Sequence, residues 1–356
     1  MSLDEIRKEI DAVDSELVTL MKKRMQCSLK VAEIKRAENL PVYHPGREKQ
    51  ILDKVEGLSG EYGIYVRNIY QSIMTVSRSL QNDTLFKDSG FAEKISALPD
   101  FAEYSRVICQ GAEGAFSHAA AKKMFGDRAF EFYKNFEDVF EKISEDENAV
   151  GVLPVENSTA GYVTNVYDLM LKYGHWIVKA VHLDVSQNLL SVGSFEEIKT
   201  VYSHPHALKQ CSRFLRENGI KAVEFENTAL AAKYVAELGD PSVAAIGSVT
   251  AAELYDLKIT KSAIQDEKDN VTRFIAISKK PFIDKNSNTV SLAFEIPHEK
   301  GSLYSMLGRF ADLGLNLTKI ASRPAGHDFE YRFYIDFSGN VFDKRVLNLL
   351  SSLEAE

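Results

Sequence analysis

The sequence predicts a multi-domain protein in which an all-α segment precedes an α/β domain and a small α+β domain. Apolar residues recur at helical spacing near the start of the chain, strand and helix patterns alternate over residues 105–280, and residues 287–356 follow the order βαββα. At 356 residues the chain is long enough for three domains. We expect a helical domain over 1–85, a linker over 86–104, and further domains over 105–280 and 287–356.

Composition and charge are those of an ordinary globular protein, with 45% apolar and 26% charged residues. A net charge of -8 argues against a general affinity for nucleic acid or an anionic membrane, although local basic pockets can still bind small anions. No apolar stretch approaches the roughly 20 residues of a membrane span, and no secretion leader opens the sequence. We therefore expect a cytoplasmic protein.

Three cysteines, Cys27, Cys109 and Cys211, are spread over the chain without paired spacing, which argues against a disulfide framework or a zinc site. We expect all three to be buried thiols in a reducing compartment. His204 and His206 alternate without a nearby acidic or thiol partner, so the sequence predicts no metal site.

The first predicted element is an amphipathic helix over residues 3–38. Its apolar residues recur at alternating spacings of three and four: Leu3, Ile6, Ile10, Val13, Leu17 and Leu20. Ser2 and Glu5 form a capping box. Such a helix would be roughly 50 Å long, more than one copy of a small domain can cover. Shorter helices are predicted at 47–56 and 62–85, and the three together favour an intertwined helical dimer.

The charges on these helices form a selective pattern. Arg24 and Lys35 are close to three whole turns apart and so share a face, whereas Arg7 lies about 100° away and should serve a different pocket. For any one of these residues, a solvated surface charge is the plain alternative. As a set, the residues resemble the active-site pattern of the all-helical chorismate mutases, in order and nearly in spacing: Arg7, Arg24, Lys35, Arg47, Glu48, Ser77 and Gln81.

The resemblance implies roles that suit the chemistry. Rearranging chorismate to prephenate needs no nucleophile, so the enzyme must hold a dicarboxylate folded and stabilise charge on the ether oxygen. The residues implied to bind substrate are Arg7 from the partner's long helix, Arg24, Arg47 and Ser77. Lys35 and Gln81 would donate to the ether oxygen, and Glu48 would hold the ring hydroxyl. One departure is His44, which stands where the family often has Asp.

From residue 105 the pattern becomes an alternation of strands and helices. Strands are predicted at 107–110, 149–155, 176–185, 200–203, 222–226, 243–246 and 274–278. Helices are predicted at 117–125, 163–173, 205–217, 229–238 and 249–256. In such folds ligands bind outside the carboxyl ends of strands, and the polar segments of this chain fall there.

Two of these polar segments follow early strands. Residues 111–118 form a glycine turn that should lead into a helix capped by Ser117, a natural carboxylate site that is neither a P-loop nor a dinucleotide fingerprint. Residues 153–161 close a strand with a run of hydrogen-bonding side chains that includes Asn157 and Ser158. A capped loop is the plain alternative for this run.

Two later segments carry further candidates. Ser203 is predicted to cap the next helix, from whose second turn Gln210 projects. At residues 269–274 an acidic turn leads into an apolar strand. Thr272, Arg273 and Phe274 then place a hydroxyl, a guanidinium and an aromatic ring at the strand entrance. These motifs, with 226–229 and 245–248, resemble prephenate dehydratase in this order.

The resemblance implies two lobes like those of periplasmic binding proteins, with the site in the cleft between them. The reaction expels the ring hydroxyl and carbon dioxide together to give phenylpyruvate, and it needs neither a metal nor an organic cofactor. Thr272 would be the donor to the hydroxyl, helped by a relay because a threonine pKa is too high for a free acid. The residues implied to bind substrate are Asn157, Ser158, Ser203, Gln210, Arg273 and Phe274, with Arg273 on a carboxylate.

Residues 287–356 resemble an ACT domain, a ferredoxin-like fold, without its last strand. The implied phenylalanine-binding residues are Gly301, Ser302, Leu303, Asn316, Leu317, Thr318, Ser322 and Arg323. Members of the family usually bind effector between two such domains. Ala321, where the family tends to have Glu, and the missing strand could each weaken inhibition. A purely structural dimerisation module is the alternative.

The leading interpretation is a bifunctional enzyme of phenylalanine biosynthesis that acts on chorismate and prephenate, is inhibited by phenylalanine and forms a homodimer or homotetramer. One alternative is a dehydratase whose helical segment only dimerises. Another is a non-catalytic amino-acid sensor, which the presence of Thr272, Asn157 and Gln210 together disfavours. The acceptance of arogenate and the passage of prephenate between sites stay open.

Overall fold

The computed structural model describes residues 2–38, 40–85, 90–100, 103–159, 161–296, 298–299, 301–324 and 331–354. The chain forms two compact units. One unit joins Met1–Asp100 to Ile283–Glu356, and the other is Phe101–Phe282. Both ends of the sequence therefore contribute to the first unit, and the second unit is inserted between them.

Four helices open the first unit: α1 (Leu3–Glu38), α2 (Pro45–Leu58), α3 (Gly63–Leu85) and α4 (Gly90–Ser96). The predicted capping box is present at the start of α1, where the Ser2 amide donates to the Glu5 carboxylate at 2.6 Å. Helices α1 and α2 both pack on α3. The apolar stripe of α1 stays open, because Leu3, Ile10 and Leu17 are each more than half exposed.

The first lobe of the second unit follows in sequence. Its elements are β1 (Arg106–Gln110), α5 (Phe116–Phe125), β2 (Glu131–Tyr133), α6 (Phe136–Glu145), β3 (Ala149–Asn157), β4 (Gly161–Tyr162), α7 (Thr164–Tyr173) and β5 (Trp176–Asp184). Strand β1 pairs in parallel with both β2 and β3.

The second lobe is built next. Its elements are β6 (Asn188–Ser191), β7 (Thr200–Ser203), α8 (Pro205–Gln210), α9 (Ser212–Glu217), β8 (Lys221–Glu224), α10 (Thr228–Leu238), β9 (Val243–Gly247), α11 (Val249–Leu254) and β10 (Lys258–Lys261). They form a five-stranded sheet of order β10-β6-β9-β7-β8.

The chain then returns to the first lobe as β11 (Val271–Ser278). This strand lies between β3 and β5 and pairs antiparallel with both, completing a six-stranded sheet of order β2-β1-β3-β11-β5 with β4 beside β3. Two chain crossings, after β5 and before β11, therefore join the lobes. The register sets Thr272 opposite Asn157, so the motifs at 153–161 and 269–274 meet in the sheet.

The chain ends with β12 (Thr289–Glu295), α12 (Ser302–Asp312), β13 (Asn316–Pro324), β14 (Tyr331–Ser338) and α13 (Lys344–Glu354). The three strands form an antiparallel sheet of order β12-β14-β13, which leaves β13 at an edge. Phe310, Ile335 and Phe337 lie at the centre of its core. Helices α12 and α13 also pack on α3, which explains why this segment joins the N-terminal helices in one unit.

Some predictions from the sequence need correction. Strands β2, β4, β6 and β10 and helix α6 were not predicted, and the helix predicted over 205–217 is divided at Cys211 into α8 and α9. Cys27 is exposed, whereas Cys109 and Cys211 are buried as expected. Burial raises the pKa of both buried thiols to about 12, so they are poor nucleophiles.

Candidate active sites

The first candidate site lies where α1, α2 and α3 meet. The Arg24 guanidinium on α1 donates to the hydroxyl of Ser77 on α3, a residue that is only 5% exposed. Gln81 lies one turn further along α3 and is also buried. Its amide oxygen has no hydrogen-bond partner among the described residues. A buried polar atom without a partner is costly in a protein interior, so the arrangement suits a polar ligand beside α3.

Lys35 and Glu48 bring opposite charges to the same region. The Lys35 ammonium donates to the Val42 carbonyl at 2.5 Å. Burial lowers the pKa of Lys35, and the negative charge of Glu48 on α2 partly offsets that decrease. The site therefore places a partly buried ammonium near the Glu48 carboxylate.

His44 takes over the capping role at the start of α2. Its imidazole Nδ1 accepts a hydrogen bond from the Arg47 amide at 3.1 Å, and Pro45 occupies the first helical position. The departure from the resembled pattern at His44 therefore leaves α2 with a side-chain cap.

Two of the predicted residues do not join this group within one chain. Arg7 is exposed and pairs with Asp4 at 3.4 Å, and its position 17 residues before Arg24 corresponds to roughly 25 Å along the helix. Arg47 is exposed and donates to Gln50 of its own helix at 3.4 Å.

Arg78 belongs to the site and was missed from the sequence. One guanidinium nitrogen, Nη1, contacts both carboxylate oxygens of Glu48, with 2.5 Å to Oε1. The guanidinium also lies over the Tyr43 ring, 5.2 Å from its centroid. The resembled pattern has no residue at this position, and only its place directly after Ser77 could have pointed to it.

The second candidate site begins with Thr272 on β11. The Asn157 side-chain amide donates to the Thr272 hydroxyl oxygen at 2.8 Å and to the Asn270 side-chain oxygen at 2.6 Å. Because Thr272 accepts this bond through its oxygen, its own proton is directed elsewhere. Asn270 and Thr272 are both buried.

Ser158 stabilises the turn before β11 by two hydrogen bonds. Its hydroxyl donates to the Asp269 carbonyl at 2.8 Å and accepts from the Val271 amide at 2.9 Å. Asn157 in turn accepts hydrogen bonds from the amide and the hydroxyl of Thr159. The predicted polar run after β3 thus acts as one network around the entrance to β11.

On the second lobe, Gln210 is held by two side chains. Its oxygen accepts from the Gln187 amide at 3.0 Å, and its nitrogen lies 3.1 Å from His206 Nε2. The chain segment that leads to Thr272 passes this group, since the Asp266 amide donates to the Gln210 carbonyl at 2.7 Å. The crossing before β11 therefore connects Gln210 to Thr272.

Two predicted caps are wrong. Ser203 is fully buried and its hydroxyl donates to the Ile246 carbonyl at 2.8 Å, whereas His204 caps α8. Ser117 lies inside α5 and donates to the Gln110 carbonyl, since α5 begins one residue earlier, at Phe116. In both cases a hydroxyl that seemed available to cap a helix instead bonds a strand carbonyl.

Arg273 and Phe274 have different surroundings from Thr272. Neighbouring strand residues point to opposite faces of a sheet, which separates Arg273 from Thr272. The register with β3 then shifts between Arg273 and Phe274. Phe274 is 3% exposed and packs in the core with Val107 and Cys109, so its ring supports the sheet instead of facing a ligand.

The glycine turn after β1 joins the two lobes. The Ser248 hydroxyl donates to the Gly114 carbonyl at 2.7 Å, and the Gly114 amide donates to His118 Nδ1 at 3.0 Å. Gly114 has φ +87°, and a Cβ there would lie 3.2 Å from the Ala251 backbone. Burial lowers the pKa of His118, which favours the neutral ring that can accept this bond.

The predicted effector residues lie at the start of α12 and along β13. Gly301 precedes α12 in the left-handed conformation, with φ +88°. Along β13 exposed and half-buried residues alternate, and the exposed face includes Asn316, Thr318 and Ser322. The register with β14 shifts around Thr318. These residues thus lie around an open sheet edge.

Two other features are absent from the described part of the chain. No cluster of three His, Cys, Asp or Glu side chains there has the arrangement of a metal site. None of the described helices is long and apolar enough to cross a membrane.

Comparisons with known proteins identify the family of each of the two parts of the chain. The family model of chorismate mutase type II matches residues 6–82, and that of prephenate dehydratase matches residues 107–282. A bifunctional chorismate mutase/prephenate dehydratase from Aquifex aeolicus is 33% identical over 99% of this chain and 94% of its own length. A prephenate dehydratase from Methanocaldococcus jannaschii is 40% identical over 70% of this chain and 93% of its own length.

A solved structure extends the comparison to the fold. Prephenate dehydratase from Arthrobacter aurescens in complex with L-Phe shares 28% sequence identity, with a TM-score of 0.62 over 70% of this chain and 85% of that chain. Two family models and a relative of nearly full length therefore agree on both halves of the molecule. The chain belongs to the family of bifunctional chorismate mutase/prephenate dehydratases.

Proposed function

We propose that this chain converts chorismate to prephenate in its helical segment and prephenate to phenylpyruvate in its two-lobed unit, as consecutive steps of phenylalanine biosynthesis. The hydrogen bond between Asn157 and Thr272 is the observation that carries the second activity. It joins two motifs that are 115 residues apart in sequence and leaves the threonine proton available. The hydrogen bond between Arg24 and Ser77, two residues of the resembled mutase pattern, supports the first activity.

In the mutase site, Arg24 and Ser77 would bind a carboxylate of chorismate. Lys35 and Gln81 would donate to the ether oxygen, on which negative charge develops as the carbon–oxygen bond breaks. Glu48 would accept a hydrogen bond from the ring hydroxyl. No proton or nucleophile is exchanged, so the residues act by holding the folded substrate and by electrostatics.

A second copy of the chain would complete the mutase site. Arg7 lies too far along α1 to reach Arg24 in its own chain, and the apolar stripe of α1 is exposed. A second α1 packed along this stripe would cover it and bring the partner's Arg7 to the pocket. Arg47 would close over the substrate from α2. An intertwined dimer follows, with a homotetramer as the larger alternative.

In the dehydratase site, Thr272 would donate its proton to the hydroxyl that leaves the prephenate ring. The Asn157 amide, which already donates to Thr272, would stabilise negative charge on the threonine oxygen as the proton shifts. Loss of carbon dioxide supplies the electron pair that makes the ring aromatic, and the departing oxygen leaves as water. One proton is consumed, and solvent returns it to Thr272 through the adjoining polar network.

The remaining residues would position prephenate. Gln210 would contact it from the second lobe. Arg273, on the face of β11 opposite to Thr272, would attract a carboxylate through its positive charge. Ser158 would position Thr272 indirectly, because it stabilises the turn before β11. Ser203 and Phe274 have packing roles in the structure and would not touch substrate.

The C-terminal segment, residues 287–356, would be an ACT domain that binds phenylalanine. The order βαββα, the left-handed Gly301 and the open edge of β13 support this assignment. So does the L-Phe complex of the Arthrobacter aurescens relative. The effector would contact Gly301, Ser302 and Leu303 at the helix start. Its other contacts would be Asn316, Leu317, Thr318, Ser322 and Arg323.

We place the helical domain at 1–85 and the two-lobed domain at 105–280. A cytoplasmic location stays a prediction.

One experiment tests both activities. Purified protein is supplied with chorismate, and prephenate and phenylpyruvate are followed separately, with and without phenylalanine. We expect prephenate to appear first, phenylpyruvate to follow, and phenylalanine to slow the formation of phenylpyruvate. Unchanged chorismate would contradict the mutase assignment and leave the helical segment as a dimerisation module. Prephenate that accumulates without phenylpyruvate would contradict the dehydratase assignment.

A further inference from the structure

Arg78 and Arg67 of α3 both form ion pairs with acidic residues of α2. They are eleven residues apart on α3, close to three turns, so both face α2. Arg67 Nη1 binds Asp53 at 3.0 Å and Glu56 at 2.7 Å. Arg78 binds Glu48 and is more buried, with 10% of its side chain exposed against 27% for Arg67. Of these acidic residues, only Glu48 belongs to the proposed substrate-binding set.

The surroundings of Arg78 keep its guanidinium in place. The Tyr43 ring lies against it, and a second guanidinium nitrogen donates to the Thr75 hydroxyl at 3.3 Å. Arg78 also borders a small cavity shared with Arg309, Asp312 and Ser352 of α12 and α13. A side chain with an ion pair, a ring and a hydrogen bond has few other rotamers available, so it can fix the group that it binds.

We propose that Arg78 is a positioning residue for the mutase reaction, because it holds the Glu48 carboxylate at the place where Glu48 receives the ring hydroxyl of the substrate. The inference rests on the proposed mutase activity. The contact uses one guanidinium nitrogen on both carboxylate oxygens, which leaves lone pairs of Glu48 for a second donor. Arg78 itself does not need to touch chorismate.

The test compares Arg78→Met with Arg78→Lys, and both with the matched control Arg67→Met. Misplacing a substrate-holding group by about 1 Å can cost on the order of 100-fold, so Arg78→Met should lower mutase kcat/KM by about 10- to 100-fold. Lysine keeps the charge but not the planar fork, and we expect a loss of about 3- to 10-fold for Arg78→Lys. Arg67→Met should stay within roughly 3-fold of the unaltered chain, because a surface pair contributes little.

A double variant shows whether Arg78 acts through Glu48. If it does, adding Arg78→Met to Glu48→Gln should change mutase kcat/KM no further, because the carboxylate that Arg78 holds is already gone. Full additivity of the two losses would overturn the proposal, and so would equal losses in Arg78→Met and Arg67→Met. A rise in kcat/KM in Arg78→Met would overturn it as well, since Arg78 would then be competing with the substrate.

The dehydratase rate of each variant, measured with prephenate, separates this inference from its premise. We expect that rate to stay unchanged in all of them, which shows that the unit Phe101–Phe282 is folded. An unchanged far-ultraviolet circular dichroism spectrum shows that the helices around Arg78 are folded as well. If the unaltered chain does not consume chorismate, the mutase assignment fails first. If it does, and Arg78→Met matches it, only the positioning role fails.

Discussion

At the scale of single residues, hydrogen-bond direction decides what Thr272 can do. The buried hydroxyl of Ser203 donates to the Ile246 carbonyl. Thr272 instead receives a hydrogen from Asn157, and Asn270 shares the same amide group. This arrangement polarises the hydroxyl towards donation without requiring an ionised threonine.

Replacing Thr272 by valine should abolish the second reaction and spare the first. Valine has a similar shape but no proton to donate, and loss of a positioned proton donor costs about 10²- to 10⁴-fold. Thr272→Ser is the control, because it keeps the hydroxyl and should retain most of the activity. The two rates are measured with prephenate and with chorismate. Parallel loss of both activities in a folded Thr272→Val protein would show that Thr272 has no specific role.

The pKa of Lys35 predicts an alkaline limit for the mutase. The ammonium is the donor, so the rate should fall as pH rises through a pKa that burial has lowered from the ordinary 10.5. Glu48 raises this pKa, so Glu48→Gln should move the fall to still lower pH. Glu56→Gln removes an equal charge elsewhere on α2 and serves as the control. A pH profile of kcat/KM that is the same in both variants would contradict the coupling.

The sequence predicted the identity of most candidate residues but not their partners. Residue types and spacing follow the chemistry, so Arg24, Lys35 and Ser77 could be selected without a structure. Contacts depend on packing between distant segments, which is why Arg78 escaped notice and Phe274 seemed exposed to ligand. Whether a serine caps a helix or binds a strand depends on a shift of one or two residues, a distance that periodicity does not resolve.

At the scale of elements, helix α1 was predicted within its observed bounds, Leu3–Glu38, because a capping box and a long apolar stripe mark it. Strands β4 and β6 were missed for the opposite reason. Strand β4 has only two residues, and all four residues of β6 are buried, so neither strand shows an alternating pattern. Helix α6 has a capping box at Asn135 and could have been found.

The hydrogen bond from Ser203 on β7 to β9 predicts an effect on stability. The Ser203 hydroxyl links β7 to the carbonyl of Ile246 on β9, so Ser203→Ala leaves a buried carbonyl with one partner fewer. We expect the free energy of unfolding to fall by about 1–3 kcal/mol. The single tryptophan, Trp176 on β5, reports the unfolding of this unit by fluorescence in urea. A normal stability together with a raised KM for prephenate would instead support the substrate role that the sequence suggested.

At the scale of the whole molecule, the division into two units was not predictable from local patterns. The sequence shows three successive domains, and periodicity contains no information about which of them pack together. The contacts of α12 and α13 with α3 are made between segments more than 200 residues apart in the chain. Such packing depends on complementary surfaces that only the folded chain reveals.

The exposed stripe of α1 predicts how the mutase depends on assembly. Leu17→Glu places a charge on the stripe, so it should weaken a dimer that buries this face. Lys8→Glu lies about 180° around the helix and is the control. Light scattering should show a smaller mass only for Leu17→Glu, with loss of mutase activity and an intact dehydratase. A monomer that keeps its mutase activity would contradict the contribution of the partner's Arg7.

The chain enters and leaves the inserted unit at nearly one point. The Ile283 amide donates to the Pro99 carbonyl at 2.9 Å, and Lys285 pairs with Asp100 at 2.8 Å. A short loop could therefore replace Phe101–Phe282 without stretching what remains. We expect this shortened chain to keep mutase activity and to lose dehydratase activity, measured with the two substrates. A shortened chain that does not fold would contradict it.

The unit Phe101–Phe282 is therefore an insertion whose two ends lie close together. A segment whose two ends meet can be removed, exchanged or moved without opening the fold that hosts it. The N-terminal helices and the C-terminal segment, far apart in the chain, would then remain neighbours whatever lies between them. The contacts of α12 and α13 with α3 would therefore connect the C-terminal segment to the helix that carries Ser77 and Gln81 without involving the inserted unit.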